Sequence, residues 1–157
     1  MKARKTAMIG LAALVSLGLA SVESANGQSD GSSTCSLATL QGLYMFSQSG
    51  YVTINGSLVP QGVTGKSIFK GNGTFTSLAT LSLGGNIIPN DAAPGTYTLN
   101  SDCTGTVTVL MTAPTPDVHL DIFVAPDGSE IFTTQTDPGN VLSGTERRVA
   151  SPEQNGG

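Results

Sequence analysis

The sequence predicts an all-β domain, a single eight-stranded antiparallel barrel of up-and-down connectivity. Three observations carry this reading. No window after residue 36 sustains a helical apolar period. Short runs rich in Val, Ile, Thr, Tyr and Phe alternate with Gly, Pro, Asn and Asp clusters at fairly even spacing. Most links between the runs are of hairpin length, and sequential antiparallel strands can close on themselves and so lose their edges. The alternative is a two-sheet β-sandwich; the short, local links favour the barrel.

The chain has 157 residues, the length of one domain. It opens on a targeting pattern. Lys2, Arg4 and Lys5 precede an apolar stretch, 7–20, that is too short to span a bilayer comfortably. Small residues stand before two cleavage points, after Ala20 and after Gly27, and the second lies in a polar, open stretch. The expected organisation is a signal peptide over 1–27, a flexible N-terminal segment over 28–36, the barrel over 37–150 and a disordered tail over 151–157. Signal removal leaves four cations against ten acids, so the net charge moves from −4 to −6. That sign disfavours nucleic acid and anionic membrane surfaces as partners, and no membrane insertion is expected of the mature chain. The expected location is secreted or periplasmic. In such an oxidising compartment Cys35 and Cys103, the only two cysteines, would join. Closing so long a loop is worth roughly 4 kcal/mol on chain-entropy grounds.

Taken in order, the predicted strands are 40–49, 62–70, 74–83, 95–100, 104–111, 118–125, 129–136 and 140–149. Asn72-Gly73 predicts a tight turn with positive φ between the second and third. Ser101-Asp102 separates the next pair, and Pro126-Asp127-Gly128 and Asp137-Pro138-Gly139 mark the last two turns. Residues 50–60 and 84–94, rich in Gly, Pro and Asn, read as longer loops. Alternation places Val118, Leu120, Ile122 and Val124 on one face, with His119, Asp121 and Phe123 opposite. Val107, Val109 and Met111 share a face, and Tyr44 with Phe46 and Tyr97 with Leu99 are expected inward pairs. Gly42, Gly65, Gly95, Gly105 and Gly144 lie in or beside strands, where glycine marks a bulge or a tight corner.

Three segments are familiar: Gly95-Thr-Tyr97-Thr-Leu-Asn-Ser-Asp-Cys103-Thr-Gly105, Phe69-Lys-Gly71-Asn-Gly73-Thr-Phe75, and Gly42-Leu-Tyr44-Met-Phe46. Together they resemble a group of small exported bacterial proteins that look like lipocalin-type or allene-oxide-cyclase-type barrels. The resemblance covers most of 35–149 and its motifs are turns and strand starts, so it implies the barrel and supplies no catalytic residue. Cys35-Ser36-Leu37 before an aromatic strand is also similar to the avidin start. Avidin-type biotin pockets rely on tryptophans, and this chain has none.

Candidate chemistry is sparse. Gly65-Lys66-Ser67 imitates the end of a phosphate-binding loop, but the required glycine position holds Pro60 and a strand follows instead of a helix. His119-x-Asp121 is the one histidine constellation; with Glu130 it forms the weak catalytic candidate set, against the simpler reading of a solvent-facing polar pair. One histidine and two bridged cysteines leave no transition-metal set, and no cofactor is expected. Asp127-Gly-Ser-Glu130 reads as a turn rather than a calcium loop. Asn55-Gly-Ser57 and Asn72-Gly-Thr74 match glycosylation sequons and read as turns. Arg147 and Arg148 point to opposite faces of the last strand; one entering the barrel would meet an acid such as Glu130 or Asp121, while exposed ends are the simpler expectation.

The favoured function is therefore a non-enzymatic exported barrel whose interior, lined by Tyr44, Phe46, Phe75 and Tyr97, binds a small apolar molecule. One alternative is a cofactor-free isomerase or cyclase of the allene-oxide-cyclase barrel type, working through His119, Asp121 and Glu130. The other is a cell-surface structural or interaction module that uses a strand edge or loops.

Overall fold

The structure is a computed structural model that describes residues 34–149. The expected signal peptide, the tail and residues 28–33 lie outside the described residues. Eight strands follow in chain order: β1 Gln41–Ile54, β2 Ser57–Lys70, β3 Thr74–Leu83, β4 Asn86–Leu99, β5 Thr104–Val109, β6 Val118–Val124, β7 Glu130–Gln135 and β8 Val141–Arg148. Each pairs antiparallel with its sequence neighbour, and β8 returns to β1 through pairs running from Tyr44↔Arg148 to Tyr51↔Val141. The chain is thus all-β, a closed up-and-down barrel, as its periodicity predicts.

The barrel is lopsided. β1, β2 and β4 have 14 residues and β3 has 10, whereas β5 to β8 have 6 to 8. The extra length is a correction to the sequence reading: 50–60 and 84–94 are strand around two-residue turns, not long loops. β1 and β2 stay paired out to Ile54↔Ser57 around Asn55-Gly56, both at positive φ (50° and 77°), the mirror-image turn whose twist suits a hairpin. β3 and β4 turn at Gly84-Gly85 and slip register where Pro89 and Asn90 stand against Thr80. Pro89 sits in that bulge, and above Gly95 the β4 ladder to β5 has ended; bulges and edges are where a strand tolerates proline. A second correction concerns the β2–β3 turn. Gly71 (φ 73°) and Gly73 (φ 89°) take the positive values, not Asn72. Asn72 works through its side chain, accepting bonds from the Thr74 backbone N–H (3.2 Å) and hydroxyl (2.8 Å).

One end of the barrel is packed solid. Phe69 stacks on Phe75 at 5.1 Å between centroids and meets Tyr44 and Tyr97 edge-on at 5.1 and 5.2 Å. Leu40, Ile122 and Ile131 complete this cluster and are almost wholly buried. At Gly95 a side chain has no room, because the Phe75 ring and the Thr108 carbonyl occupy the space a Cβ would take.

The residues before β1 close this end. Cys35 is buried and disulfide-bonded to Cys103 in the β4–β5 turn, with 5.1 Å between Cα atoms. A 3₁₀ turn, Leu37–Thr39, crosses the base. The Tyr97 hydroxyl reaches the carbonyls of Leu37 (2.8 Å) and Leu40 (3.1 Å). Arg148 joins three elements here: its guanidinium donates to the Tyr44 hydroxyl (3.0 Å), Thr39 O (2.6 Å) and Asp127 O (3.3 Å). Tyr44 in turn donates to Gly128 O at 2.6 Å. The two arginines therefore part company. Arg147 meets Glu130 at 2.9 Å on the outside of the barrel, and Arg148 caps the base through carbonyls and a phenol instead of a carboxylate.

Candidate functional site

Above the aromatic cluster the barrel is hollow, and residue size explains why. Just below this level β2, β3 and β4 turn Phe69, Phe75 and Tyr97 inward. Going up in the same phase, β2 carries Ser67 and then Gly65, β3 carries Ser77 and then Ala79, and β4 carries Gly95 and then Ala93. The side chains become too small to meet across the barrel. They leave a cavity of about 530 Å³, within the range of small-molecule sites. Phe46, Phe75, Val107 and Leu120 line its lower part. Val63, Val109, Val118 and Leu142 form apolar walls. Its rim comes from Leu83, Met111, the segment 115–117 and the β7–β8 turn. A side chain at Gly65 would run into the Leu78 carbonyl and the Ala79 Cα of β3 as well as the tip of the Phe46 ring.

Within the apolar walls lies a polar strip. Gln48 donates to the Thr133 hydroxyl at 3.1 Å, which bonds the Gly144 carbonyl at 3.3 Å. Gln135 donates to Asp137 at 2.8 Å, and Ser77 to Ala93 O at 3.1 Å. Glu146 also lines the cavity. It is only 6% exposed, its β1 neighbour is Phe46 and its β7 neighbour is Ile131. Burial pushes its carboxyl up to about 7, against the opposing pull of a hydrogen bond from Ser67. Its second oxygen, Oε2, has no hydrogen-bond partner.

The residues expected to line the lumen divide between two levels. Phe46 and Phe75 face the cavity. Tyr44 and Tyr97 lie in the packed end, where their hydroxyls are engaged at the base. Burial raises the pKa of both phenols.

His119, Asp121 and Glu130 do not come together, and none lines the cavity. His119 and Asp121 stand on the exposed outer face of β6. The partner of His119 is Asp137: ring Nδ1 lies 2.8 Å from Oδ1, and the His119 backbone N–H donates to Oδ2 at 3.0 Å. Burial alone would raise the Asp137 carboxyl. The bonds from Gln135 and from His119 outweigh it and hold the group below the usual carboxylate value. Glu130 is paired with Arg147.

Sequence reasoning missed Glu146. The signal was present in phase: counting by twos from Leu142 through Gly144 carries the inner face to Glu146.

Among the described residues no group of three or more His, Cys, Asp or Glu is placed to hold a metal ion. No helix among them is long and apolar enough to cross a membrane. The bonded cysteine pair is consistent with an extracytoplasmic protein. A scan against protein-family models finds no match, and comparisons with curated proteins and with solved structures find none either.

Proposed function

We propose that this chain is an exported small-molecule-binding barrel, released into a secreted or periplasmic compartment after loss of residues 1–27, that takes one small, largely apolar molecule through its open end. The observation that carries the reading is the half-filled interior: a cavity of about 530 Å³ with apolar walls above a solid aromatic base. A barrel selected only for stability would fill that space, since voids weaken packing. The likeness of three segments to lipocalin-type and allene-oxide-cyclase-type barrels supports the same reading. The acidic net charge and the disulfide suit an exported protein.

The test uses the oxidised protein and the neutral dye N-phenyl-1-naphthylamine. Saturable fluorescence enhancement with one site per chain is expected. Val109→Trp, which places an indole in the cavity, should abolish it while the circular dichroism spectrum persists. Dye binding that does not saturate, or that survives Val109→Trp, would overturn the proposal.

One observation favours a second reading, a cofactor-free isomerase or cyclase. Glu146 is a buried carboxyl with a pKa near neutrality in the cavity wall, the condition for general acid–base work. That chemistry would belong to Glu146 rather than to the outer residues His119, Asp121 and Glu130. A turnover found by substrate screening and abolished by Glu146→Gln would select it over simple binding.

A further inference from the structure

We infer that the cavity selects an apolar amine, with its ammonium group seated on the Glu146 carboxylate and its hydrocarbon body against Phe46, Phe75, Val107 and Leu120. The inference rests on the barrel being a small-molecule binder and adds the class of molecule it takes.

Two independent features point to a cation. The first is the unsatisfied oxygen. Glu146 lines the cavity, is more than nine-tenths buried, and only Ser67 bonds its carboxyl, so Oε2 is left without a donor from the protein. An orphaned buried acceptor is costly, and a ligand that brings a donor removes the cost. The second is charge. Four acids line the cavity, namely Glu146 within and Asp91, Asp117 and Asp137 towards the open end, and no Lys, Arg or His lines it.

The charged and titratable groups around Glu146 leave it free for such a ligand. Arg148 follows two residues later on the same face of β8, but its guanidinium is engaged at the closed end by Tyr44, Thr39 and Asp127. Tyr44, from β1, is a raised phenol and stays neutral near pH 7. Asp137 is tied to His119 and Gln135, and Asp117 accepts the Met111 N–H at 2.9 Å. A negative mouth with low-dielectric walls concentrates cations and turns carboxylates away. A neutral alcohol would satisfy Oε2 but gain nothing from the field. An ammonium gains from both, and its hydrocarbon body is desolvated by the apolar walls.

The binding step balances as a proton exchange. Near neutrality Glu146 is partly protonated, because burial holds its pKa at about 7. An alkylammonium keeps its proton there, since amines of this kind titrate above pH 10. Binding therefore releases the Glu146 proton to solvent, and affinity should rise about tenfold from pH 6 to pH 8 as the carboxylate becomes available.

The experiment titrates the oxidised full chain with octylamine, octanol and octanoate, both directly by calorimetry and by displacement of N-phenyl-1-naphthylamine. Octylamine should bind at least about tenfold more tightly than either competitor at pH 8. Its affinity should climb with pH as stated, with proton uptake by the buffer. In Glu146→Gln the amine should fall to the level of octanol measured in the same variant and lose its pH dependence. If the dye and octanol bind but octylamine does no better than octanol, the amine inference falls and the binding function stands. Preference for octanoate overturns it as well. If the dye does not bind at all, the underlying proposal has failed and the amine inference with it. The pH series on the unaltered protein decides the matter even if Glu146→Gln does not fold.

Discussion

Glu146 makes stability depend on pH in a direction opposite to that of most carboxylates. Its pKa rises from 4.5, the ordinary value, to about 7 in the folded chain. The folded state therefore holds a proton that the unfolded state releases. The stability from the neutral group is fully present below pH 4.5 and is lost as pH rises through about 7. At about 1.4 kcal/mol per unit, a rise of that size amounts to roughly 3 kcal/mol, most of it lost between pH 5 and pH 8. Asp102, Asp127 and Asp137 have lowered values. Their contribution is present above the unfolded value and disappears only as pH falls below it, outside this window. Glu146→Gln keeps the shape and removes the titration. Urea unfolding of the oxidised protein, followed by circular dichroism at pH 5, 6, 7 and 8, should show the unaltered chain weakening across the series and the variant nearly flat. For a domain of this size the gap at pH 8 corresponds to roughly 10 °C in Tm. Parallel pH curves for the two proteins would refute the reasoning, because the carboxyl would then ionise alike in the folded and unfolded chains.

Other expectations are narrower. Replacing both cysteines (C35S with C103S) releases a loop of sequence separation 68 and should lower stability by up to about 4 kcal/mol, read from thermal melts against the oxidised protein. Gly95→Val drives a side chain into the Phe75 ring and the Thr108 carbonyl; a loss of at least about 1–3 kcal/mol is expected in urea melts. His119→Ala removes a largely exposed partner of Asp137 and should cost less than about 1 kcal/mol, with dye affinity unchanged. A marked loss of dye binding there would show that the outer face of β6 communicates with the cavity.

The lower barrel was the legible part. The alternation of Val118, Leu120, Ile122 and Val124 is undisturbed, and Pro-Asp-Gly punctuates it, so β6 and β7 follow directly from pattern and turn chemistry. The upper arms were hidden because Pro60, Pro89, Pro94 and Asn90 carry loop signals, and the apolar residues there, Leu58 and Ile87 among them, are exposed and follow no buried face. Pairing between arms, a non-local fact, makes them strand. The site failed to show for a related reason. β8 turns Leu142, Gly144 and Glu146 inward; the phase is in the sequence, but a carboxylate between Thr145 and Arg147 reads as a solvent residue until the register with β1 is known. The hollow could not be foreseen from any single strand. It follows from Ser67, Ser77 and Ala93 lying at one height, which only the β2–β3–β4 register determines.

The pairing of β8 with β1 has a consequence for how the molecule comes into being. Tyr44 meets Arg148 across 104 positions of chain, and the last strand alone makes that contact. A chain emerging from its N-terminus has no barrel while β1 to β7 accumulate. Without β8 the native pairings leave β1 and β7 as two bare edges and the inner face without its closing wall. The base cannot be capped in this period, because Arg148, which ties Thr39 to Tyr44 and Asp127, has not arrived. The ring of strands and its cap are complete only when β8 is in place. Shortening the chain before β8 would remove the enclosure itself, while a comparable loss from the tip of the β3–β4 arm would leave the ring of strands closed.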